Sequence, residues 1–408
     1  MFIKSAAAAI LVLSSFANAH FNATGSQTVL TNLSSAKAVG GVILSQDALT
    51  DVAVVHLNPE QLNKLSAYGH SVGRCAGFEV LDTKETASAG IVLNQLRQTQ
   101  MDQMVLSPMM SSERQIVFNV AYKSIIDQAD ANNLRTTIAW LSSYPDRYNK
   151  SSNPNIHVND LKTKLNEWLK DAPWKYTIET IAHTSTKQNS LKLTIPGTTR
   201  PNEVVVLGGH LDSINQGLFG IVTPGSKAPG ADDNASGSSN LIEALKLLKQ
   251  VPSFERTLEF YWYAGEESGL LGSAEIAKAY KAANKNVIGV LQLDMTLFPG
   301  DGEQVVGLMT DFTSPWLRSV LTQINDIYVK GRFVESQCGY GCSDHASWNR
   351  QGYHAVIPFE ATMNKMNSNI HSAKDVIDSK SSMNHSNTFT KYATLFALVL
   401  GNSLIQAP

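Results

Sequence analysis

Three segments of this chain are apolar almost to their last residue: EVVVLGGH at 203–210, RTLEFYWYAGEE at 256–267 and NVIGVLQLD at 286–294. A strand with one wet face alternates polar and apolar residues, so continuous apolar runs of this length belong to strands buried on both faces. Between them lie NLIEALKLLKQV, which puts Leu241, Ala244, Leu245 and Leu248 on one helical face, and LLGSAEIAKAYKAA, also of helical period. Doubly buried strands alternating with amphipathic helices predict an α/β fold, a three-layer sandwich whose central sheet is mostly parallel and flanked by helices. Ligands of such folds gather beyond the carboxyl ends of the strands.

The same pattern extends upstream. Helical spacing runs through 116–144 and again through VNDLKTKLNEWLKDA, and YTIETIAHT and SLKLTIPGT read as strands. Residues 112–408 are therefore expected to form the main domain. Ahead of it, AVGGVILS, DVAVVHLN and GFEVLD read as strands and PEQLNKLSAYGH as a helix. This small α+β unit is too small to hold an active site of its own. Residues 20–36, rich in Ser, Thr and Asn, are expected to be mobile, and RQTQMDQMVLSPMMSSERQ to be an exposed connection. The whole of 20–111 reads as a propeptide-like unit and linker, with a permanent accessory domain as the alternative.

The first residues carry Lys4, the apolar AAAAILVLSSF and Ala17-Asn18-Ala19. A short basic start, a short apolar stretch and an A-x-A site make a secretory signal peptide over 1–19, cut after Ala19, which predicts a secreted protein. No apolar run reaches the roughly 20 residues a membrane helix needs. With 17% charged residues and a net charge of −2 there is no basic excess for nucleic acid or an anionic membrane. Of the three cysteines, Cys338 and Cys342 stand in CGYGCSDH. In an oxidising compartment a pair this close forms a small-loop disulfide that stiffens a turn. Thiolate metal ligation is the alternative, but the spacing exceeds the usual knuckle by one residue and there is no second pair. Cys75 has no assigned role.

What ends each strand carries the chemistry. The first run stops at His210 with Asp212 close behind, the second at Glu266-Glu267, and the third at Asp294; the loop PGADDNASG adds Asp232, Asp233 and Asn234. Each alone is an ordinary loop end or helix cap. Together, on one edge of a sheet, they demand cations, and a mixture of His and carboxylate ligands suits zinc best, with cobalt or manganese as possible substitutes. Asp212 is expected to accept the other ring N–H of His210, or else to be a plain turn residue.

In order along the chain, GGHLDS, PGADDNASG, AGEESGLLGS, LQLDM, CGYGCSDHASW and IHSAKD resemble the motifs of the secreted bacterial leucyl aminopeptidases, members of the two-zinc aminopeptidase family with an α/β exopeptidase fold. The resemblance runs from about 112 to the C-terminus. It implies two Zn2+ ions held by His210, Asp233, Glu267, Asp294 and His371, with Asp233 shared, His210 and Asp294 on one side, and Glu267 and His371 on the other. It implies Glu266 as general base, a cis bond between Asp233 and Asn234, and Asp232 as a neighbour of the ligands. His345 would be structural. The first side chain of the substrate would meet Met295, the Cys338–Cys342 turn, Ile357, Phe359 and Ile370, with Tyr340 at the reacting carbonyl. Met363 and Met366 stand where aromatics are common in the family. Peptides with a free N-terminal amine, led by leucine or another apolar residue, are the implied partners, and the enzyme would be a monomer. Two rival classes share the scaffold: glutaminyl cyclases, which are acyltransferases using one zinc, and receptor-like ectodomains that only bind.

Overall fold

The computed structural model describes residues 25–47, 50–71, 77–110, 115–217 and 221–402. The expected signal peptide and its cut site, and Cys75, lie outside them.

The N-terminal unit is a four-stranded antiparallel sheet of β1 (Gln27–Asn32), β2 (Val42–Asp47), β3 (Val52–Leu57) and β4 (Phe78–Val80), in the order β2-β3-β1-β4. Two expectations fail here. The segment expected to be mobile supplies β1, an inner strand, because Val29 and Leu30 are buried in it and its polar residues find partners. Thr28 Oγ1 lies 3.1 Å from His56 Nδ1, and Thr31 donates to the Gly77 carbonyl at 2.5 Å. The expected exposed connection begins inside the helix Ala89–Met110. Ala89, Val92, Leu93 and Leu96 form that helix's apolar face and pack with Leu30, Val52 and Val54 of the sheet. This stripe precedes residue 97, so the polar continuation RQTQMDQ carries no apolar period of its own.

Nine further strands follow among the described residues: β5 (Thr177–Ile181), β6 (Ser190–Ile195), β7 (Arg200–His210), β8 (Arg256–Tyr263), β9 (Asn286–Gln292), β10 (Val305–Met309), β11 (Arg332–Ser336), β12 (Ala355–Val356) and β13 (Pro358–Phe359). Six make the central sheet, ordered β12-β9-β7-β8-β6-β5. The four from β12 to β8 are parallel, while β6 and β5 add an antiparallel margin, so the sheet is mixed.

The apolar runs are explained by what covers them. In β7, Val205 and Leu207 face one layer while Val204 and Val206 face the other; in β8, Leu258, Phe260 and Trp262 oppose Tyr261 and Tyr263. The first layer contains the helices Gly237–Leu248 and Met383–Asn402, the latter buried along nearly its whole length. The second contains Ile276, Ala277 and Trp348 from the helices Leu271–Ala282 and His345–Arg350. Full burial of such a side chain contributes roughly 1.5–3 kcal/mol, which makes this sheet a rigid platform. A second small sheet, β11-β10-β13, stands beside it and is absent from the sequence reading.

The N-terminal unit rests on the main domain near the ends of the parallel strands. The Val80 amide donates to the Gly269 carbonyl at 3.1 Å, just beyond Glu267. Asn32 donates to the Gly339 carbonyl in the Cys338–Cys342 turn, and Gln216 donates to Ser66. Lys278 reaches Asp82 and Glu85, and Arg350 reaches Glu79 and Glu85. Among the described residues no helix is long and apolar enough to cross a membrane.

Candidate metal centre

Three strands of the parallel core each deliver one element of the centre. β7 ends at His210, β9 leads two residues on to Asp294, and β8 leads through Gly265 to the turn Glu266–Ser268. Gly265 takes φ +62°, a left-handed conformation that lets the chain turn sharply off the strand; a Cβ there would lie 2.9 Å from Asn149 Nδ2. Asp233 comes from the loop before the helix Gly237–Leu248, and its bond to Asn234 is cis.

The five side chains converge in two buried triads, His210–Asp233–Asp294 and Asp233–Glu267–His371, with the ligand atoms of each triad within 4.8 Å of one another. Asp233 belongs to both and divides its oxygens between them. Its Oδ1 lies 3.0 Å from His210 Nε2 and its Oδ2 lies 2.9 Å from His371 Nε2. Asp294 Oδ1 is 3.2 Å from His210 Nε2, and Glu267 Oε2 is 2.8 Å from His371 Nε2. Glu266 is fully buried beside them, and neither of its oxygens has a hydrogen-bond partner among the described residues.

The electrostatics call for positive charge. Burial pushes the Glu266 carboxyl well above its usual range, and Glu267 and Asp294 add to the shift against the pull of His210. Burial and then Asp233 push Glu267 up to about 7. Burial works against charging the histidines, yet carboxylates outweigh it: Asp294 and Glu266 lead for His210, held well above the imidazole range, and Glu267 and Asp233 for His371, carried up to about 10. A mixed His and carboxylate donor set, with a shared carboxylate and, beside it, a buried Glu266 that lacks hydrogen-bond partners among the described residues, fits divalent cations of the zinc class.

Around the triads lies a shell of fixed polar contacts. His210 Nδ1 is 3.1 Å from the Asp212 backbone oxygen, a group that only accepts, so Nδ1 carries a proton and Nε2 faces the triad. The Asp212 carboxylate, expected on that ring, stands 3.5 Å from Nδ1 at Oδ1 and chiefly accepts the backbone N–H groups of Glu266 and Glu267, at 3.0 and 3.2 Å. Ser343 donates to Asp294 Oδ2 at 2.6 Å, leaving Oδ1 toward His210. Asp232 turns aside and accepts from the Leu297 amide at 2.9 Å and Asn367 Nδ2 at 3.0 Å.

Asp375 escaped the sequence reading. Its carboxylate accepts the Asp232 and Asp233 amides, both at 3.0 Å. The residue closes the motif IHSAKD, which was its only signal. His345 is buried and belongs to neither triad.

One apolar cluster unites Met295, Tyr340, Ile357, Phe359 and Ile370 with Cys338, Cys342, Met363 and Met366. The cysteines form a disulfide. Met309, at the end of β10, joins them and was not anticipated; the Cys338 sulfur lies 3.9 Å from that of Met309 and 3.8 Å from that of Met363.

The profile of peptidase family M28 matches residues 191–394. A probable aminopeptidase of Saccharomyces cerevisiae is 35% identical over 294 residues, spanning 69% of this chain and 77% of the yeast protein. Leucine aminopeptidase 1 of Coccidioides posadasii is 35% identical over 268 residues, 62% of this chain and 67% of its own. Among solved structures, the Legionella pneumophila LapA aminopeptidase has a TM-score of 0.75 at 24% identity and covers 93% of this chain and 99% of its own. A glutaminyl cyclase of Porphyromonas gingivalis has a TM-score of 0.53 at 14% identity, over 65% of this chain and 97% of its own. At these identities both structures speak for the fold alone.

Proposed function

Because this chain belongs to peptidase family M28, we propose that it is a metallo-aminopeptidase that removes leucine or another apolar residue from the N-terminus of peptides. The observation that carries this reading is the pair of buried triads sharing Asp233, with Glu266 beside them. His210 and Asp294 would hold one Zn2+, Glu267 and His371 the other, and Asp233 both. Bound there, such a pair activates a water molecule and polarises the scissile carbonyl.

The chain's own residues do the rest. Glu266 takes a proton from the attacking water and returns it to the leaving amine. With no hydrogen-bond partner among the described residues, both of its oxygens are available for that exchange. Asp212 fixes the Glu266 amide and so aims the side chain. The apolar cluster around Met295, Ile357, Phe359 and Ile370 receives the first side chain and excludes water, while Tyr340 contacts the reacting carbonyl. Four methionines make that wall adaptable, while the disulfide stiffens the turn beside them.

Residues 20–111 act as a propeptide-like unit, supported by their contacts to the turns that carry Glu267 and the disulfide. The mature enzyme, residues 112–408, is exported after cleavage of 1–19 and works as a monomer. N-terminal sequencing of the exported protein tests both cuts, and its elution volume on gel filtration tests the monomer.

The main test is hydrolysis of a leucine anilide. Activity should vanish with a chelator, return with zinc, and fall roughly a hundred- to ten-thousand-fold in Glu266→Ala while both zinc ions stay bound. Full activity in that variant overturns the base. Equal turnover of lysine and leucine anilides overturns the apolar preference. A single equivalent of metal with acyl transfer on N-terminal glutamine would favour the cyclase class.

A further inference from the structure

The most unusual charged group in the main domain is Arg147. Its side chain is fully buried, where an isolated cation is costly unless something answers it. No carboxylate is among its hydrogen-bond partners within the described residues; every acceptor is a backbone carbonyl. Nε donates to Leu211 at 2.8 Å, Nη1 to Leu141 at 2.9 Å and to Pro229 at 2.5 Å, and Nη2 to Gly230 at 2.8 Å.

Three of those carbonyls lie where the triads are made, and the fourth ends the helix Ala131–Leu141. Leu211 follows His210, and Pro229 and Gly230 open the loop that ends in Asp233. Gly230 takes φ +51°, and a Cβ there would lie 2.8 Å from Arg147 Nη2, so the guanidinium sits tight against the loop. The third ligand-bearing turn is tied to the same residue through Gln188, which donates to the Arg147 carbonyl at 2.9 Å and accepts the Gly265 amide at 2.9 Å. Asp212 and Asp375, the two carboxylates that each hold a pair of backbone N–H groups at the centre, are also the acids nearest in effect to the guanidinium, with Asp375 first.

We infer that Arg147 is a positioning residue for the metal centre: its planar fork fixes the His210 segment against the Asp233 loop, and so sets the geometry of the ion site to which both belong. The inference rests on the two-ion reading above. A planar guanidinium is suited to this task and an ammonium is not, since four carbonyls from three segments surround one fork. The charge serves a second purpose, answering Asp375 and Asp212.

The test uses the mature enzyme and the variants Arg147→Lys and Arg147→Gln, checked for folding by circular dichroism and gel filtration. Metal-free protein is titrated with zinc against a chromophoric chelator, and kcat and KM are measured on a leucine anilide. Arg147→Lys should bind at least one ion about 10- to 100-fold more weakly, the range found when outer partners of metal ligands are removed, and kcat should fall while KM stays close to wild type. A merely structural arginine would lower the melting temperature of the metal-free protein and leave zinc affinity unchanged. A folded Arg147→Lys with wild-type affinity for both ions and wild-type kcat overturns the inference. If neither variant folds, wild-type protein with 15N-labelled arginine decides: a protected Nε–H resonance should shift on zinc addition, and no shift among them overturns it. Wild-type protein that binds no zinc would instead refute the metal centre itself, a separate outcome.

Discussion

The carboxylate of Asp375 accepts the backbone N–H of Asp233 at 3.0 Å, across 142 positions of sequence. It accepts the Asp232 amide at the same distance. Asp212 treats Glu266 and Glu267 in the same way. Each pair of adjacent acids therefore has its main chain held by a third carboxylate, which orients the pair without touching the side chains' own ligand atoms.

Asp375→Asn should expose what that grip does. An amide keeps one acceptor and turns an NH2 group toward a backbone donor, so one buried N–H loses its partner at a cost of about 1–3 kcal/mol. Zinc affinity should fall about 10- to 100-fold, measured by chelator competition. Unchanged affinity in the folded variant would show that the loop holds Asp233 without it.

Acid stability should report His157. Burial, helped by Arg147, lowers its pKa to about 3, against the usual 6.5, and its Nε2 lies 2.9 Å from the Gln188 amide nitrogen, a donor that the neutral ring accepts. The unfolded chain takes up this proton and the folded protein does not. Stability is therefore lost as pH falls from about 6.5 toward 3, by up to ~1.4 kcal/mol per pH unit for one proton. In urea titrations His157→Gln should show a slope shallower than wild type by about one proton. Parallel curves would contradict this.

Arg350 should control the attachment of the N-terminal unit. Its side chain is 5% exposed and pairs with Glu79, itself 2% exposed, at 2.8 Å. Arg350→Met leaves a buried carboxylate unanswered, a loss of ~3–5 kcal/mol. Limited proteolysis of the unprocessed protein should then release residues 20–111 faster than in wild type, with activity appearing earlier. Identical cleavage rates would argue that the apolar contacts of Leu30, Val52 and Leu93 hold the unit alone.

The disulfide should matter locally. The Cys338–Cys342 bridge closes a loop with a sequence separation of 4, so its chain-entropy contribution is small, about 2 kcal/mol. Replacing both cysteines with serine should raise KM for a leucine anilide several-fold and change kcat little. A large fall in kcat with KM unchanged would place the turn's influence on the reacting atoms instead.

The strands β7, β8 and β9 and the helices between them are legible in the sequence because burial on two faces imposes continuous apolar runs, and burial on one helical face imposes a period of 3.6. The acids and histidine at the strand ends are legible for the same reason: polar residues that abruptly end such runs stand out. Elsewhere periodicity misleads. β1 reads as a mobile polar segment because its Thr and Asn side chains are satisfied by distant partners such as the Gly77 carbonyl. The helix from Ala89 continues beyond its apolar stripe on intrinsic propensity.

By itself the sequence determined which residue types stand at the sheet's carboxyl edge and which chain segments bring them there, since local burial patterns are written into contiguous residues. Tertiary structure alone decided that β6 runs antiparallel to the other five strands of the central sheet, that Met309 joins the apolar wall, and that Asp375 and Arg147 grip the loops of the centre. Those decisions rest on single hydrogen bonds and contacts between groups far apart along the chain. Such pairings leave no period in the sequence, because only the closed fold brings donor and acceptor within reach of one another.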